Sequence, residues 1–153
     1  PIQTQELTMN KIALFKPEKW SLTGWLICLI TRCSYSHAAV YVDGLGWFHS
    51  SETVGYFDVL NRTEFAEREA LVFEFSGDLS GWLKLMKRTE YDWKGVLGWL
   101  FKADDKDRFY CFETAMNALS HCGIAHYNRQ VSGCTVASFA SSGVRSGKFK
   151  ELM

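Results

Sequence analysis

Five segments in the first half of the chain are rich in β-branched, aromatic and small apolar residues and are bounded by turn residues. They cover 11–15, 36–42, 47–51, 55–60 and 71–75. Segments of this length and composition are typical of β-strands. The turn Asp43-Gly-Leu-Gly46 joins the second segment to the third and favours a hairpin. The pattern therefore predicts a sheet of about five strands.

In the rest of the chain, apolar residues recur at intervals of three and four, the spacing of amphipathic helices. The first such segment follows Ser21, whose side chain suits an N-cap, and ends before Cys33. It carries a wide apolar face. Further helices are predicted from Asp78, over 93–101, over 108–122 with an end near Gly123, and from about Thr135.

Most predicted strands precede most predicted helices, and this order indicates an α+β fold in which several helices pack against an antiparallel sheet. No internal repeat, low-complexity tract or Pro-rich linker divides the chain. We therefore predict a single domain over residues 1–153.

Charge and cysteine content narrow the class of protein. Lys plus Arg and Asp plus Glu number 17 each, so the chain lacks the general positive charge of a nucleic-acid binder. The longest purely apolar run, 25–30, is far shorter than the ~20 residues that a membrane span needs. Five cysteines cannot all pair within one chain, which favours reduced thiols. A cytoplasmic protein without a secretory signal is predicted, although a chain that begins with Pro1 leaves its native start open.

Cys111 is the first candidate for chemistry. It lies in the first turn of the helix predicted over 108–122, where unpaired backbone amides and the helix dipole favour a thiolate. The backbone amide of Cys111 would also be a natural donor to an oxyanion. A lone cysteine is more often a small buried core residue, so this assignment depends on its neighbours.

Two histidines are candidate partners. His37 begins a predicted strand, and His49 lies twelve residues later in the returning arm of the hairpin. If the loop around Gly44 holds three residues, both histidines share one face of the sheet as diagonal neighbours. His49 would then orient His37, as the third member of a triad does. A loop of two or four residues would separate them and favour Ser50, Ser51 or Glu52 instead.

Three blocks of the sequence carry a family resemblance. They are Ser36-His-Ala-Ala-Val-Tyr-Val42 with His49 behind it, Tyr91-Asp92 twenty residues before the cysteine, and Phe109-Tyr-Cys-Phe-Glu113. They resemble the circularly permuted branch of the NlpC-type papain-like cysteine hydrolases, which includes YiiX-like proteins and the lecithin retinol acyltransferase group. The order of histidine before cysteine is similar to that branch, and the likeness spans roughly residues 11 to 140.

The resemblance implies a permuted papain-like fold and an acyl-enzyme mechanism. Cys111 would be the nucleophile, His37 its base and His49 the third member of the triad, while Tyr91 and Tyr110 would contact the substrate. The substrate would be a peptide or isopeptide amide, and no cofactor would be needed.

Two positions near these blocks also suit a structural role, and two depart from the family pattern. Glu113 in the first helical turn suits the helix dipole, and Asp92 suits an N-cap of the next helix. Phe112 stands where the family often has a small residue. His49 stands where YiiX-like members commonly have Glu, and a histidine there is more similar to the acyltransferase group.

Three alternatives to the hydrolase remain. A lipid or thioester could donate its acyl group to Cys111 in an acyltransferase, and an inactive binding module could keep the fold without the chemistry. A metal site is disfavoured, because the spacing of its candidate ligands lacks the paired pattern of structural zinc sites. Those candidates are Cys111, His121, Cys122, His126 and Cys134.

Tryptophans lie on several of the predicted helices: Trp20, Trp25, Trp93 and Trp99. Most of these side chains are expected in the core. An exposed share would form a groove for an acyl chain or contact a lipid surface, which we do not favour from the sequence. The sequence leaves the oligomeric state open.

Overall fold

The structure, a computed structural model, describes residues 8–51, 56–59, 70–87, 110–124, 132–145 and 150–152. Its strands are β1 Met9–Phe15, β2 His37–Val42, β3 Gly46–Ser51, β4 Tyr56–Val59, β5 Ala70–Ser76 and β6 Lys150–Leu152. Its helices are α1 Leu22–Thr31, α2 Ser80–Met86, α3 Cys111–His121 and α4 Gly133–Arg145. The predicted α+β class is confirmed. The helix predicted over 93–101 lies outside the described residues.

All the strands join one antiparallel sheet in the order β4-β3-β2-β1-β5-β6. The five predicted strands are present, and β6 extends the sheet at one edge. The loop between β2 and β3 holds three residues, since Val42 pairs with Gly46. Gly44 and Gly46 have φ of 76° and 112°, which glycine adopts without steric cost. This loop sets the register on which the candidate site depends.

The sheet has buried side chains on both faces. On one face Ile12, Leu14 and Val40 belong to the same core as Trp82 of α2 and Leu119 of α3. The opposite face carries a smaller cluster, formed by Ala13, Phe15 and Ala39 with Trp47 and Val72 packed against it. Because side chains alternate along a strand, successive residues of β1 and β2 belong to different clusters on opposite faces of the sheet.

The helix boundaries follow local backbone chemistry. Ser21 is the N-cap of α1 as predicted, and its Oγ accepts a hydrogen bond of 3.0 Å from the amide of Gly24. Asp78 accepts a bond from the amide of Ser80, at the start of α2. α3 begins at Cys111 and not near residue 108, because the backbone of Tyr110 is extended. It ends before Gly123, whose φ is 70°.

The expectation that Trp20 and Trp25 lie in the core is wrong. Trp20 is 86% exposed and Trp25 is more than half exposed. α1 packs against the rest of the protein through a narrow stripe that consists of Gly24, Ile27 and Thr31. Four further apolar side chains of the helix are exposed because the packed stripe covers only one side: Leu22, Trp25, Leu26 and Leu29. Trp93 and Trp99 lie outside the described residues.

The expectation of five reduced cysteines is also wrong. Cys33, just after α1, forms a disulfide with Cys134 in the first turn of α4, across 101 residues of sequence. An odd cysteine count excludes complete pairing but does not exclude one bridge. Separately, no helix in the described part of the chain is long and apolar enough to cross a membrane.

Candidate active site

The two predicted histidines lie together in the sheet. Nε2 of His37 is 2.8 Å from Nδ1 of His49, a hydrogen bond between two buried rings. The ring planes are nearly perpendicular, at 85°. Val40 pairs with Phe48, and this register makes the histidines diagonal neighbours on one face. The three-residue loop therefore produces the arrangement that the spacing of twelve predicted.

The surroundings of His49 favour an uncharged imidazole. Burial lowers the pKa of His49 to about 4, and the nearby carboxylate of Asp58, its cross-strand partner, opposes this only in part. His37 stands opposite Phe15 on the neighbouring strand, with ring centroids 6.3 Å apart. At neutral pH His49 is thus a neutral ring, able to fix the orientation of His37 through its hydrogen bond.

Cys111 is the first residue of α3 and is only 2% exposed. α3 packs against both β2 and β3. Cys111 and Thr114 are three residues apart and therefore lie on one side of the helix. The hydroxyl of Thr114 is 2.5 Å from the hydroxyl of Ser50 on β3, so this side of α3 is turned toward the sheet. α3 therefore packs on the sheet face that carries Ser50, whereas alternation along β2 and β3 puts His37 and His49 on the opposite face.

A close approach of α4 fixes which end of the sheet the head of α3 meets. A Cβ on Gly133 would lie 2.7 Å from Cβ of Tyr35 and 2.8 Å from the ring of Phe112. Tyr35 lies two residues before β2, and Phe112 directly follows Cys111. The N-terminus of α3 is therefore beside the end of β2 at which His37 lies.

Glu113 and Tyr110 shape the head of the helix. Glu113 is 1% exposed, and its Oε2 accepts a hydrogen bond of 3.3 Å from the backbone amide of Tyr110. Tyr110, a predicted substrate contact, is itself buried, with its ring edge-on to Phe112. Tyr91, the other predicted contact, lies outside the described residues.

Sequence reasoning gave too little weight to Glu113 and missed the role of Thr114. An acidic residue three positions after an N-cap is a capping signal, but it is usually sought after Ser or Thr and not after Tyr. Thr114 offered no local signal, because its partner Ser50 is 64 residues away. Both residues hold the head of α3 in place.

The remaining thiols differ from Cys111 in their surroundings. Cys28 and Cys122 are half-buried and lie outside the disulfide. Burial raises the pKa of Cys122 to about 11, and the charge of Asp78 adds to this effect. Within the described ranges, no group of three or more His, Cys, Asp or Glu side chains could hold a metal ion.

Comparisons with known proteins assign no family. The chain matches no protein-family model, no curated protein and no solved structure. The interpretation of the site consequently depends on the geometry of the histidine pair and the helix head.

Proposed function

We propose that the protein is a cysteine hydrolase of the permuted papain-like type, with Cys111 as nucleophile, His37 as base and His49 as the residue that orients His37. The hydrogen bond between the imidazoles carries the proposal. A base held by a third group is the arrangement that activates a thiol. Because that bond uses Nε2 of His37, the thiol proton would go to Nδ1.

The position of the helix head restricts where the thiol and the imidazole would meet. Alternation along β2 puts His37 on the face that carries Phe15 and Ala39, whereas Thr114 approaches the other face through Ser50. The thiol of Cys111 would therefore meet His37 only at the end of the sheet, where β2 begins and where Tyr35 and Phe112 both lie against Gly133. Such an approach suits a cysteine in the first helical turn, where the backbone amides also favour a thiolate.

Each step of the proposed reaction conserves its protons. Nδ1 of His37 takes the thiol proton as sulfur attacks the carbonyl carbon of an amide, and the amide of Cys111 donates to the oxyanion. Collapse breaks the C–N bond, and the imidazolium gives its proton to the leaving amine. Water then attacks the thioester while His37 takes its proton, and the carboxylic acid leaves as the thiol is restored.

The substrate class proposed is a peptide or isopeptide amide, as the family resemblance implies. The cytoplasmic location expected from the sequence remains a prediction. The bond between Cys33 and Cys134 instead favours an oxidising compartment, since structural disulfides persist there and are rare in the cytosol.

Competition among the three thiols tests the proposal. We would measure the rate at which iodoacetamide labels Cys111, Cys28 and Cys122 against pH, and locate the adducts by mass spectrometry. Cys111 is the most buried of the three, so exposure alone makes it the slowest. An activated pair instead makes it the fastest below neutral pH, because only the thiolate reacts.

Two variants make the test specific. His37→Ala should abolish the faster labelling of Cys111 relative to the other two thiols. His121→Ala, at an exposed histidine of α3, should leave the labelling rate of Cys111 unchanged. Labelling of Cys111 that is slow and indifferent to His37 would contradict an activated pair and favour a binding module.

A second measurement separates hydrolysis from acyl transfer. The small ester p-nitrophenyl acetate should acetylate Cys111 with a burst of nitrophenolate, since it needs no specific binding site. Continued turnover in water is the result expected of a hydrolase. A burst followed by a stable acetyl adduct on Cys111 would contradict hydrolysis and indicate that the enzyme needs another acceptor.

A further inference from the structure

α1 presents an apolar surface to the outside of the protein. We call this surface the α1 face; its residues are Trp20, Leu22, Trp25, Leu26 and Leu29. Leu22 and Leu29 are the extremes on the helix itself, with 86% and 75% of their area exposed. A helix that is apolar all round normally lies in a core or in lipid. Five large apolar side chains lie exposed next to one another on the α1 face. An exposed apolar patch of this kind indicates a site that another surface covers.

Basic residues flank both ends of the α1 face. Lys19 precedes the helix and its Nζ lies 5.2 Å from the ring centroid of Trp20. Arg32 directly follows the helix as its C-cap, with a left-handed backbone of φ 52°, and is exposed. Between 16 and 32 the chain has three basic residues and one acidic residue, although its net charge is zero. Three basic residues less one acidic residue give this segment a net charge of +2.

The tryptophans suit an interface between water and lipid. Nε1 of Trp25 donates a hydrogen bond of 3.3 Å to the backbone oxygen of Lys19, so the ring can enter an apolar medium with its polar atom satisfied. Indole rings are enriched at the boundary between headgroups and acyl chains. α1, at ten residues, is too short to span a bilayer but long enough to lie in this boundary.

We propose that the α1 face docks the protein on an anionic lipid surface, with α1 parallel to the membrane plane. The apolar side chains would enter the acyl boundary, and Lys19 and Arg32 would contact anionic headgroups. The proposal does not depend on the chemistry of Cys111 and stands if the proposed hydrolase activity fails. A second copy of the chain is a less suitable occupant of the α1 face. A twofold interface would bring Lys19 and Arg32 of the two copies close together, and their like charges would repel.

Sedimentation with vesicles tests the docking. The whole chain is mixed with phosphatidylcholine vesicles, with or without phosphatidylserine, at low and at high salt. Binding is expected only to the vesicles that contain phosphatidylserine, and it should weaken as salt rises. Emission from the exposed tryptophans should shift to the blue on binding.

Matched variants distinguish vesicle binding through the α1 face from non-specific adsorption. L22Q/L29Q and K19E/R32E should each weaken binding by roughly tenfold or more. Controls on α2 are L85Q, which changes a leucine that is 61% exposed, and K84E, which reverses a surface charge. Neither control should change binding by more than about twofold. Circular dichroism should show that every variant is folded.

Two outcomes would overturn the proposal. One is wild-type protein that binds the anionic vesicles no better than L22Q/L29Q does. The other is a wild-type dimer in analytical ultracentrifugation that L22Q/L29Q dissociates, together with no vesicle binding, which would assign the α1 face to a second copy. Because neither assay reads the thiol, failure here is distinguishable from failure of the proposed hydrolase.

Discussion

The imidazoles of His37 and His49 are joined by a hydrogen bond of 2.8 Å between Nε2 of the first and Nδ1 of the second. The two residues are separated by a hairpin with a loop of three residues, which puts them on the same face of adjacent strands. Both rings are buried, and the lowered pKa of His49 links the protonation of that residue to folding.

Stability should fall as pH is lowered from about 6.5 to about 4. The ordinary histidine pKa is about 6.5, and burial lowers that of His49 to about 4. Between these values the unfolded chain binds a proton that the folded protein does not, so acid favours unfolding. The shift corresponds to at most about 3 kcal/mol of unfolding free energy. Urea titrations across this pH range measure the loss.

The variant His49→Gln isolates this contribution from the carboxylates that titrate in the same range. Glutamine has no proton to bind, so the variant should lose less stability than the wild type between the two pH values. His121→Gln makes the same substitution at an exposed histidine of α3 and serves as the control. Parallel curves for wild type and His49→Gln would show that burial does not shift this histidine.

Ser50 and Thr114 should be coupled energetically. Thr114→Val leaves the hydroxyl of Ser50 buried without this partner and should cost about 1–3 kcal/mol. Ser50→Ala should cost less, about 1 kcal/mol, because the hydroxyl of Thr114 also donates to the carbonyl oxygen of Tyr110 at 3.2 Å.

A double-mutant cycle on urea unfolding measures the coupling directly. We expect the double variant to be more stable than the sum of the single losses predicts, by about 1 kcal/mol. Strict additivity would mean that the hydroxyls contribute independently and that this bond does not hold α3 to β3.

Gly133 should not tolerate a methyl group. In Gly133→Ala the new Cβ would overlap Tyr35 and Phe112, so about 1–3 kcal/mol of stability should be lost. Gly81→Ala is the matched control within α2, because its Cβ would meet His121 at 3.4 Å, an ordinary contact. Alanine favours a helix over glycine, so this control should be neutral or stabilised by up to about 1 kcal/mol. Equal losses in both variants, measured by thermal unfolding, would contradict close packing at the head of α3.

Short-range pattern was sufficient for the sheet and made the histidine pair depend on a single loop length. Alternation shows that His37 and His49 share a face only if the loop around Gly44 holds three residues, and the structure supplies that length. The N-cap at Ser21 is equally local, because its partner is three residues away. Features of this kind follow from the sequence since the interacting residues are close along the chain.

Features that depend on distant residues could not be predicted in this way. An apolar helix pattern shows that a helix has an apolar face but not what covers that face, so most of the tryptophans were expected in the core although Trp20 and Trp25 are exposed. The contact between Ser50 and Thr114 crosses 64 residues, and the disulfide crosses 101. Cysteine spacing does not give connectivity, so the partner of Cys33 required the fold.

Substitutions that break the disulfide between Cys33 and Cys134 should destabilise the protein more than substitution of any described cysteine outside the disulfide. A cross-link that closes a loop of about 100 residues restricts the unfolded chain, and removal of such a bond typically costs about 2–5 kcal/mol. We expect Cys134→Ser, Cys33→Ser and the double variant to lose the same amount, because each breaks one bond. Cys28→Ser, at a half-buried thiol outside the disulfide, should lose clearly less.

Urea unfolding with and without dithiothreitol completes this test. Reduced wild-type protein should become as unstable as Cys134→Ser, whose own stability should not respond to the reductant. Because the bond joins the end of α1 to the start of α4, and Gly133 lies against Tyr35 and Phe112, reduction should also loosen the head of α3. Hydrogen exchange at the amides of Cys111 and Phe112 should then accelerate. Wild-type protein that is equally stable when reduced would instead indicate that the fold does not need the bond and suits a reducing compartment.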